Sequence, residues 1–149
     1  MSNHGAPLSE CNCLAIRQAA RHVTQFYDQL FAPIGLRATQ FAILSRLRQN
    51  GPMPINALAA LLVMDRTTLG RNILPLQRDG LIEVRPSPSD RRRHELRLTD
   101  AGRDVYRAGI KHWDEAQRRF NAVFGDERAT ALRNLLREVS ASDFAGTAD

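Results

Sequence analysis

The 149-residue sequence predicts a mainly helical chain with one small β-hairpin set among the helices. Three observations carry this. Apolar residues recur at three- and four-residue spacing through most of the chain. A single stretch, His94-Glu95-Leu96-Arg97-Leu98, alternates instead with the two-residue period of a strand. Between residues 54 and 99 the signals run helix, short turn, helix, strand, Arg-loaded turn, strand.

Taken in order, residues 9–31 place Ile16, Ala19, Ala20, Val23, Phe26, Tyr27, Leu30 and Phe31 on one helical face, and Pro33 with Gly35 ends it. Residues 37–49 form a second helix with Phe41, Leu44 and Leu47 inside and Gly51 after it. Arg37 stands where a capping side chain belongs and has no acceptor to offer, so Thr39 is expected to start the helix later, or its first turn to be loose. Pro54 suits a first helical turn, where its missing N–H costs nothing. Ile55, Leu58, Ala59, Leu61 and Leu62 follow as a stripe, and Val63-Met64 is a turn.

Asp65 can cap the next helix, with Thr68 three residues on. Leu69, Ile73 and Leu76 are its buried stripe; Arg66, Thr67, Gly70 and Arg71 lie off that stripe. Pro75 removes one N–H and crowds the Arg71 carbonyl, which predicts a kink or a tightened end. The alternative is a proline tolerated near a helix end. Gly80 stops the helix as a left-handed residue would. Leu81–Val84 is a strand, Pro86–Asp90 a turn, and His94–Leu98 the returning strand. Thr99 can cap a long helix to about Val123, with Asp100 in its first turn. Gly125 breaks it, and Asp126 can cap a last helix carrying Leu132, Leu135, Leu136 and Val139. The FAGTAD tail is expected to fray.

The hairpin and its preceding helix pair make a winged helix-turn-helix, an arrangement that reads double-stranded DNA. In such a unit the second helix enters the major groove. Small Thr67 and Thr68 let the backbone approach, while Arg66 and Arg71 can reach guanine or phosphate. Residues 85–97 carry Arg85, Arg91, Arg92, Arg93 and Arg97 against Asp90 and Glu95, a net charge of +3. Consecutive Arg91, Arg92 and Arg93 at the tip suit phosphates or a narrow minor groove. The whole chain is net +5, which favours polyanions. All but one of its 21 basic residues are Arg, Lys111 being the exception; Arg forks are suited to bidentate contacts, and a GC-rich genome gives the same skew.

The pattern D-x-R-x-x-x-L-x-L-T-x-x-G stands here as Asp90, Arg92, Leu96, Leu98, Thr99 and Gly102. Upstream are Gln40-Phe41, Leu44, Leu47, Leu58-Ala59 and Gly80-Leu81-Ile82. Together these resemble the MarR family (multiple antibiotic resistance regulators), from about Leu14 to Val139. The resemblance implies one MarR-like domain over residues 1–149, its winged helix-turn-helix at 37–99, and dimerisation helices at 9–33 and 100–142. It implies a two-fold homodimer, two recognition helices about 34 Å apart on a palindromic operator, and release by a small molecule or an oxidant. It also implies Arg92 in the minor groove, with Asp90 holding Arg92 or the turn.

Two effector chemistries stay open. A pocket between the dimer helices and the winged unit is expected to hold an aromatic or carboxylate ligand, with His22, Tyr27, His112 and Trp113 as linings. The other reading is thiol-based. Cys13 precedes Tyr27 on the first helix as in the peroxide-sensing branch of the family, although Ala38 and Phe41 stand where a second Tyr belongs. A thiolate there climbs from sulfenic acid to a disulfide. Cys11 and Cys13, two apart on a helix, point apart, so a bridge across a dimer is the feasible one.

A winged-helix protein-interaction module without DNA binding is the remaining alternative, and the exposed Arg residues speak against it. The four His and two Cys lack zinc-ligand spacing. There is no phosphate loop and no nucleophile constellation, so no metal, cofactor or catalysis is expected. No apolar run approaches the ~18 residues of a membrane span, and MSNHGAPLSE lacks a secretory pattern. The expected location is the cytoplasm.

Overall fold

A computed structural model describes residues 5–146. His4 and the last three residues of the FAGTAD tail, 147–149, lie outside that range. Six helices and a two-stranded antiparallel sheet follow one another: α1 (Asn12–Phe31), α2 (Ala38–Asn50), α3 (Ile55–Leu62), α4 (Arg66–Arg78), β1 (Ile82–Pro86), β2 (His94–Leu98), α5 (Asp100–Phe124) and α6 (Asp126–Ala141). The chain is mainly α with a small β-wing.

The first helix starts at Asn12 rather than at residue 9. Leu8–Glu10 form a 3-10 turn, and Cys11 is extended, its Sγ accepting the Leu14 N–H at 3.4 Å. Cys11 is therefore a cap and not a helical residue, so the two thiols are not two positions of one helix. At its far end α1 buries Phe31, which is 1% exposed and stacks on Phe41 with ring centroids 4.7 Å apart.

The α2 helix begins at Ala38, not later at Thr39. Arg37 supplies no cap, but two other groups replace it. The Gln40 Oε1 accepts the Arg37 N–H at 2.9 Å, and Asp28 Oδ1, from α1, accepts the Ala38 N–H at 2.7 Å.

Pro54 sits one residue before α3, at its extended N-cap, rather than inside the first turn. Leu58 and Ala59 are buried as the stripe predicts, but Leu61 is 41% exposed because a helix of eight residues turns it off the core face. The turn to α4 passes through Val63 at φ +51°, a left-handed conformation that β-branched residues rarely adopt. Leu69, Ile73 and Leu76 are all under 5% exposed. The α4 helix continues without interruption through Pro75. It ends in a Schellman motif: the Leu81 N–H reaches Leu76 O at 2.9 Å, the Gly80 N–H reaches Gln77 O at 3.0 Å, and Gly80 has φ +72°.

Leu81 is spent in that motif, so β1 starts at Ile82 and runs on to Pro86. The register pairs Ile82 with Leu98, Val84 with Leu96 and Pro86 with His94. Leu96 also exchanges both backbone hydrogen bonds with Met53, at 3.1 and 2.8 Å, which ties the α2–α3 connection to the sheet.

Thr99 caps α5 by accepting the Gly102 N–H at 3.0 Å. Its hydroxyl donates to Gly80 O at 2.6 Å, and its N–H donates to Leu81 O at 3.1 Å. Gly102 lies so close to Leu81 that a Cβ would collide with the Leu81 carbonyl. Asp126 does not cap α6: Gly125 holds the cap position at φ +99°, and Asp126 is the first helical residue. A carboxylate in that first turn still favours the helix dipole.

Candidate nucleic-acid interface

Asp65 fixes the start of α4. Its Oδ1 accepts the Thr68 N–H at 2.8 Å and its Oδ2 accepts the Thr68 hydroxyl at 2.6 Å. The Thr68 hydroxyl, and then the Thr68 amide, hold the Asp65 carboxyl below the usual carboxylate range. The cap sets the first turn so that Arg66, Thr67 and Thr68 are exposed, with Arg71 exposed one turn on. The Thr68 hydroxyl proton is committed to Asp65; its methyl group remains on the surface.

Leu74 is 65% exposed on the same helix, outside the Leu69–Ile73–Leu76 stripe. An exposed leucine beside Arg71 offers apolar surface of the kind that meets a thymine methyl. Its place off the buried stripe was the available signal in the sequence.

The hairpin tip is pinned from within. Asp90 Oδ1 accepts the Arg92 N–H at 3.0 Å, its carbonyl accepts the Arg93 N–H at 3.0 Å, and its Oδ2 lies 3.9 Å from Arg93 Nε. Ser87, 4% exposed, donates its N–H to Arg93 O at 2.7 Å. Asp90 thus holds the turn through the Arg92 backbone and pairs with the Arg93 side chain. The Arg91 and Arg92 guanidinium groups have no carboxylate within 4.0 Å among the described residues. Asp90, Arg91, Arg92 and Arg93 are all exposed.

Helix and wing converge. Arg66 from α4, Arg92, Arg93 and His94 from the wing, and Ile55 and Asn56 from the first turn of α3 line one open cleft of about 640 Å³. Lone arginines on separate surfaces would only raise the local potential; arginines facing across a concave surface can grip a curved polyanion from two sides.

The other expected residues do not form one site. Tyr27 lies in a groove of about 530 Å³ between α1, α5 and α6, together with Gln117, Asn121 and Arg133. His22 lines an adjoining groove of about 620 Å³ with Phe26 and Phe124, and the two grooves share Ala19, Val23, Phe120 and Leu132. His112 and Trp113 line neither, and Trp113 is 41% exposed. In the Tyr27 groove the tyrosine hydroxyl donates to Gln117 Oε1, and Asn121 Oδ1 is buried without a hydrogen-bond partner. Burial raises the Tyr27 hydroxyl above the ordinary tyrosine value, and the Arg133 charge pulls it the other way. Gln117 and Asn121 on α5 and Arg133 on α6 were not singled out from sequence, since each is an ordinary polar residue on a helix. Cys13 is exposed and Cys11 half-buried, both unbridged.

Among the described residues there is no cluster of three or more His, Cys, Asp or Glu placed to hold a metal ion. No described helix is long and apolar enough to cross a membrane.

Comparison with known proteins agrees with this geometry. The MarR family profile matches residues 36–94. The transcriptional regulator PecS of Dickeya dadantii (strain 3937) is 30% identical over 115 residues, covering 75% of this chain and 69% of that protein. The M. tuberculosis regulator MosR, solved in complex with DNA, is 34% identical with a TM-score of 0.75 over 89% of this chain and 98% of that one. The repressor CouR, bound to a 23-mer DNA duplex, is 29% identical with a TM-score of 0.80 over 91% and 96%. CouR has also been solved with p-coumaroyl-CoA, at 25% identity and a TM-score of 0.81 over 93% and 97%. The chain belongs to the MarR family of winged helix-turn-helix transcriptional regulators.

Proposed function

We propose that this protein is a homodimeric, sequence-specific DNA-binding repressor that a small aromatic or carboxylate effector releases from its operator. The observation that carries the DNA reading is the shared cleft in which Arg66 faces Arg92 and Arg93. Arg71, Thr67 and Leu74 then read base edges in the major groove, while the wing arginines hold phosphates or enter the minor groove. CouR and MosR have each been solved on DNA with this fold.

The dimer rests on area. The chain exposes 10924 Å², whereas a compact monomer of 16.7 kDa exposes about 7,600 Å². The excess, roughly 3,300 Å² per protomer or about 6,600 Å² for a pair, matches the largest class of obligate interfaces, of about 5,000 Å² and more in total. Part of it lies on α5 and α6, where Val123 is 91%, Leu135 59% and Val139 39% exposed outside the Tyr27 groove. Two-fold pairing covers those faces and sets two recognition helices about 34 Å apart on a palindrome.

The effector reading rests on the Tyr27 groove. Its walls are apolar, and its polar groups are few and close: Tyr27, Gln117, Asn121 and the Arg133 guanidinium. That is the composition of a small-molecule site, with Arg133 suited to a carboxylate. The solved structure of CouR bound to p-coumaroyl-CoA supports this reading.

Selection of bound duplexes from a random DNA pool tests the proposal. The expected result is a palindromic consensus, eluted by an aromatic acid such as salicylate. Failure to enrich any sequence would overturn the DNA reading, and a non-palindromic consensus would overturn the dimeric one.

A second reading concerns the trigger alone. Cys11 Sγ accepts a backbone N–H at the start of α1, close in sequence to the exposed Cys13. Both thiols are unbridged, so oxidant release through Cys13 with Cys11 is the alternative trigger.

A further inference from the structure

A second cluster of positive charge lies at the base of the hairpin, in a cleft separate from the helix–wing surface. Arg48 from the end of α2, Arg97 from β2 and Arg103 from the first turn of α5 line it, with Gly51 and Pro52 of the α2–α3 connection as its floor. No acidic residue lines this cleft.

Two of the three charges there, Arg48 and Arg97, are left without carboxylate partners among the described residues. Glu83 stands directly across the sheet from Arg97 in register, yet its carboxylate turns to Arg85, 2.9 Å from that residue's Nε. Among the described residues no carboxylate lies within 4.0 Å of the Arg48 or Arg97 guanidinium. Arg103 meets Asp100 at 3.0 Å, but that aspartate is fully exposed and its charge is screened by water. Arg97 Nε is buried and has no hydrogen-bond acceptor. A buried N–H donor without an acceptor is unfavourable, and native structures rarely keep one.

The ligand that this cleft would take has definable chemistry. Arginines from three elements line one small volume that no carboxylate lines, so the ligand it suits is anionic and offers oxygens in several directions. The cleft holds about 170 Å³, below the roughly 300 Å³ at which drug-sized ligand pockets begin. It fits one tetrahedral anion, or the phosphate end of a larger molecule, better than an aromatic acid.

We propose that Arg48, Arg97 and Arg103 form a phosphate-binding site at the base of the wing. Its phosphate comes either from the DNA backbone outside the helix–wing contact or from a free phosphate or phosphomonoester. The site stands on its own residues and does not require the DNA reading to hold.

The test uses the full chain with two variants, Arg97→Gln and Arg48→Gln. Arg48 is exposed, so its variant folds even if removal of Arg97 disturbs the sheet. Thermal unfolding is followed against millimolar inorganic phosphate, with chloride at matched ionic strength as control. In parallel, DNA affinity is measured against salt. A saturable, phosphate-specific rise in Tm, with at least tenfold weaker phosphate binding in Arg48→Gln and an unchanged salt slope, assigns the site to a free anion. A fall of about 0.9 in the slope of log K against log salt for each DNA phosphate that the variant no longer neutralises assigns it to DNA. No phosphate-specific rise in the native protein, together with unchanged salt slopes in both variants, overturns the proposal. So does native-like phosphate binding by Arg48→Gln.

Discussion

Asp28, on the first helix, accepts the backbone N–H of Ala38, on the second, at 2.7 Å. The contact does two things. It satisfies a helix-start amide that Arg37 cannot, and it ties α1, which carries the exposed apolar face, to α2, whose Phe41, Ile43 and Leu44 build the core of the winged unit. Removing the carboxylate in Asp28→Ala is expected to cost about 1 kcal/mol, the usual worth of an N-cap. Asp28→Asn keeps an acceptor oxygen and is expected to retain most of that stability. Urea unfolding of the two variants distinguishes them; equal losses would mean that the charge, not the hydrogen bond, matters.

Gly102 and Leu81 make a second tie, between the start of α5 and the end of the recognition helix. The T-x-x-G sequence has a physical reason here. Thr99 caps α5 through the Gly102 N–H while also bonding Gly80 and Leu81, and this draws the helix so close that no Cβ fits at residue 102. Gly102→Ala is expected to destabilise the protein by about 1–3 kcal/mol, as overpacking does. Gly109→Ala, whose Cβ would come 2.6 Å from the Phe41 ring, should cost less if the ring can tilt away. Chemical denaturation of both variants measures the difference.

What the sequence made legible was local. Asp65 capping, the buried Leu69–Ile73–Leu76 stripe, the αL Gly80 and the Thr99 cap are each decided within a few residues, and all are present. What it hid depends on other elements. The cap of α2 comes from ten residues upstream through a turn, and Met53 joins Leu96 across most of the winged unit. The residues expected to line an effector pocket spread beyond one groove for the same reason: helical spacing tells which face Tyr27 occupies but not how α5 and α6 rotate against it. Leu61 went astray because a helix of two turns has too few residues to define its buried face.

The Asp65 cap carries a pH dependence. Hydrogen bonds from Thr68 depress its folded-state pKa, so the cap contributes stability above the unfolded carboxylate value and loses it as pH falls through the depressed one. The protection factor of the Thr68 amide, its intrinsic exchange rate at each pH divided by the observed one, is expected to hold at neutral pH and to fall only below the usual carboxylate range. Asp65→Asn retains an acceptor that does not titrate, so its Thr68 amide should show no such acid step. An identical acid step in Asp65→Asn would place the titrating group elsewhere.

The two triggers part cleanly at Cys13. If a ligand in the Tyr27 groove governs release, Cys13→Ser is expected to respond to an aromatic acid as the native protein does, whereas Arg133→Gln loses the response. Peroxide should then leave native protein on DNA. Release by peroxide in the native protein, abolished in Cys13→Ser, would instead establish the thiol trigger, because a serine hydroxyl cannot be oxidised up the same ladder. The coupling required is small: about 1.4 kcal/mol shifts the DNA affinity tenfold.

Helix and wing are expected to divide the labour of binding. Arg92, free of carboxylate partners at the tip of a turn that Asp90 pins, is placed to neutralise backbone or enter the minor groove. Arg92→Ala is expected to weaken binding by about 1–3 kcal/mol and to flatten the salt dependence, on operator and random DNA alike. Arg71 projects from α4 beside Leu74, where a bidentate fork reaches guanine. Arg71→Ala is therefore expected to relax preference at one symmetric pair of operator positions while random-sequence affinity stays nearly constant. Binding titrations on operator, single-position operator variants and random duplex read both effects. Equal loss of affinity on every duplex would reassign Arg71 to a phosphate and leave base reading to Thr67, Thr68 and Leu74.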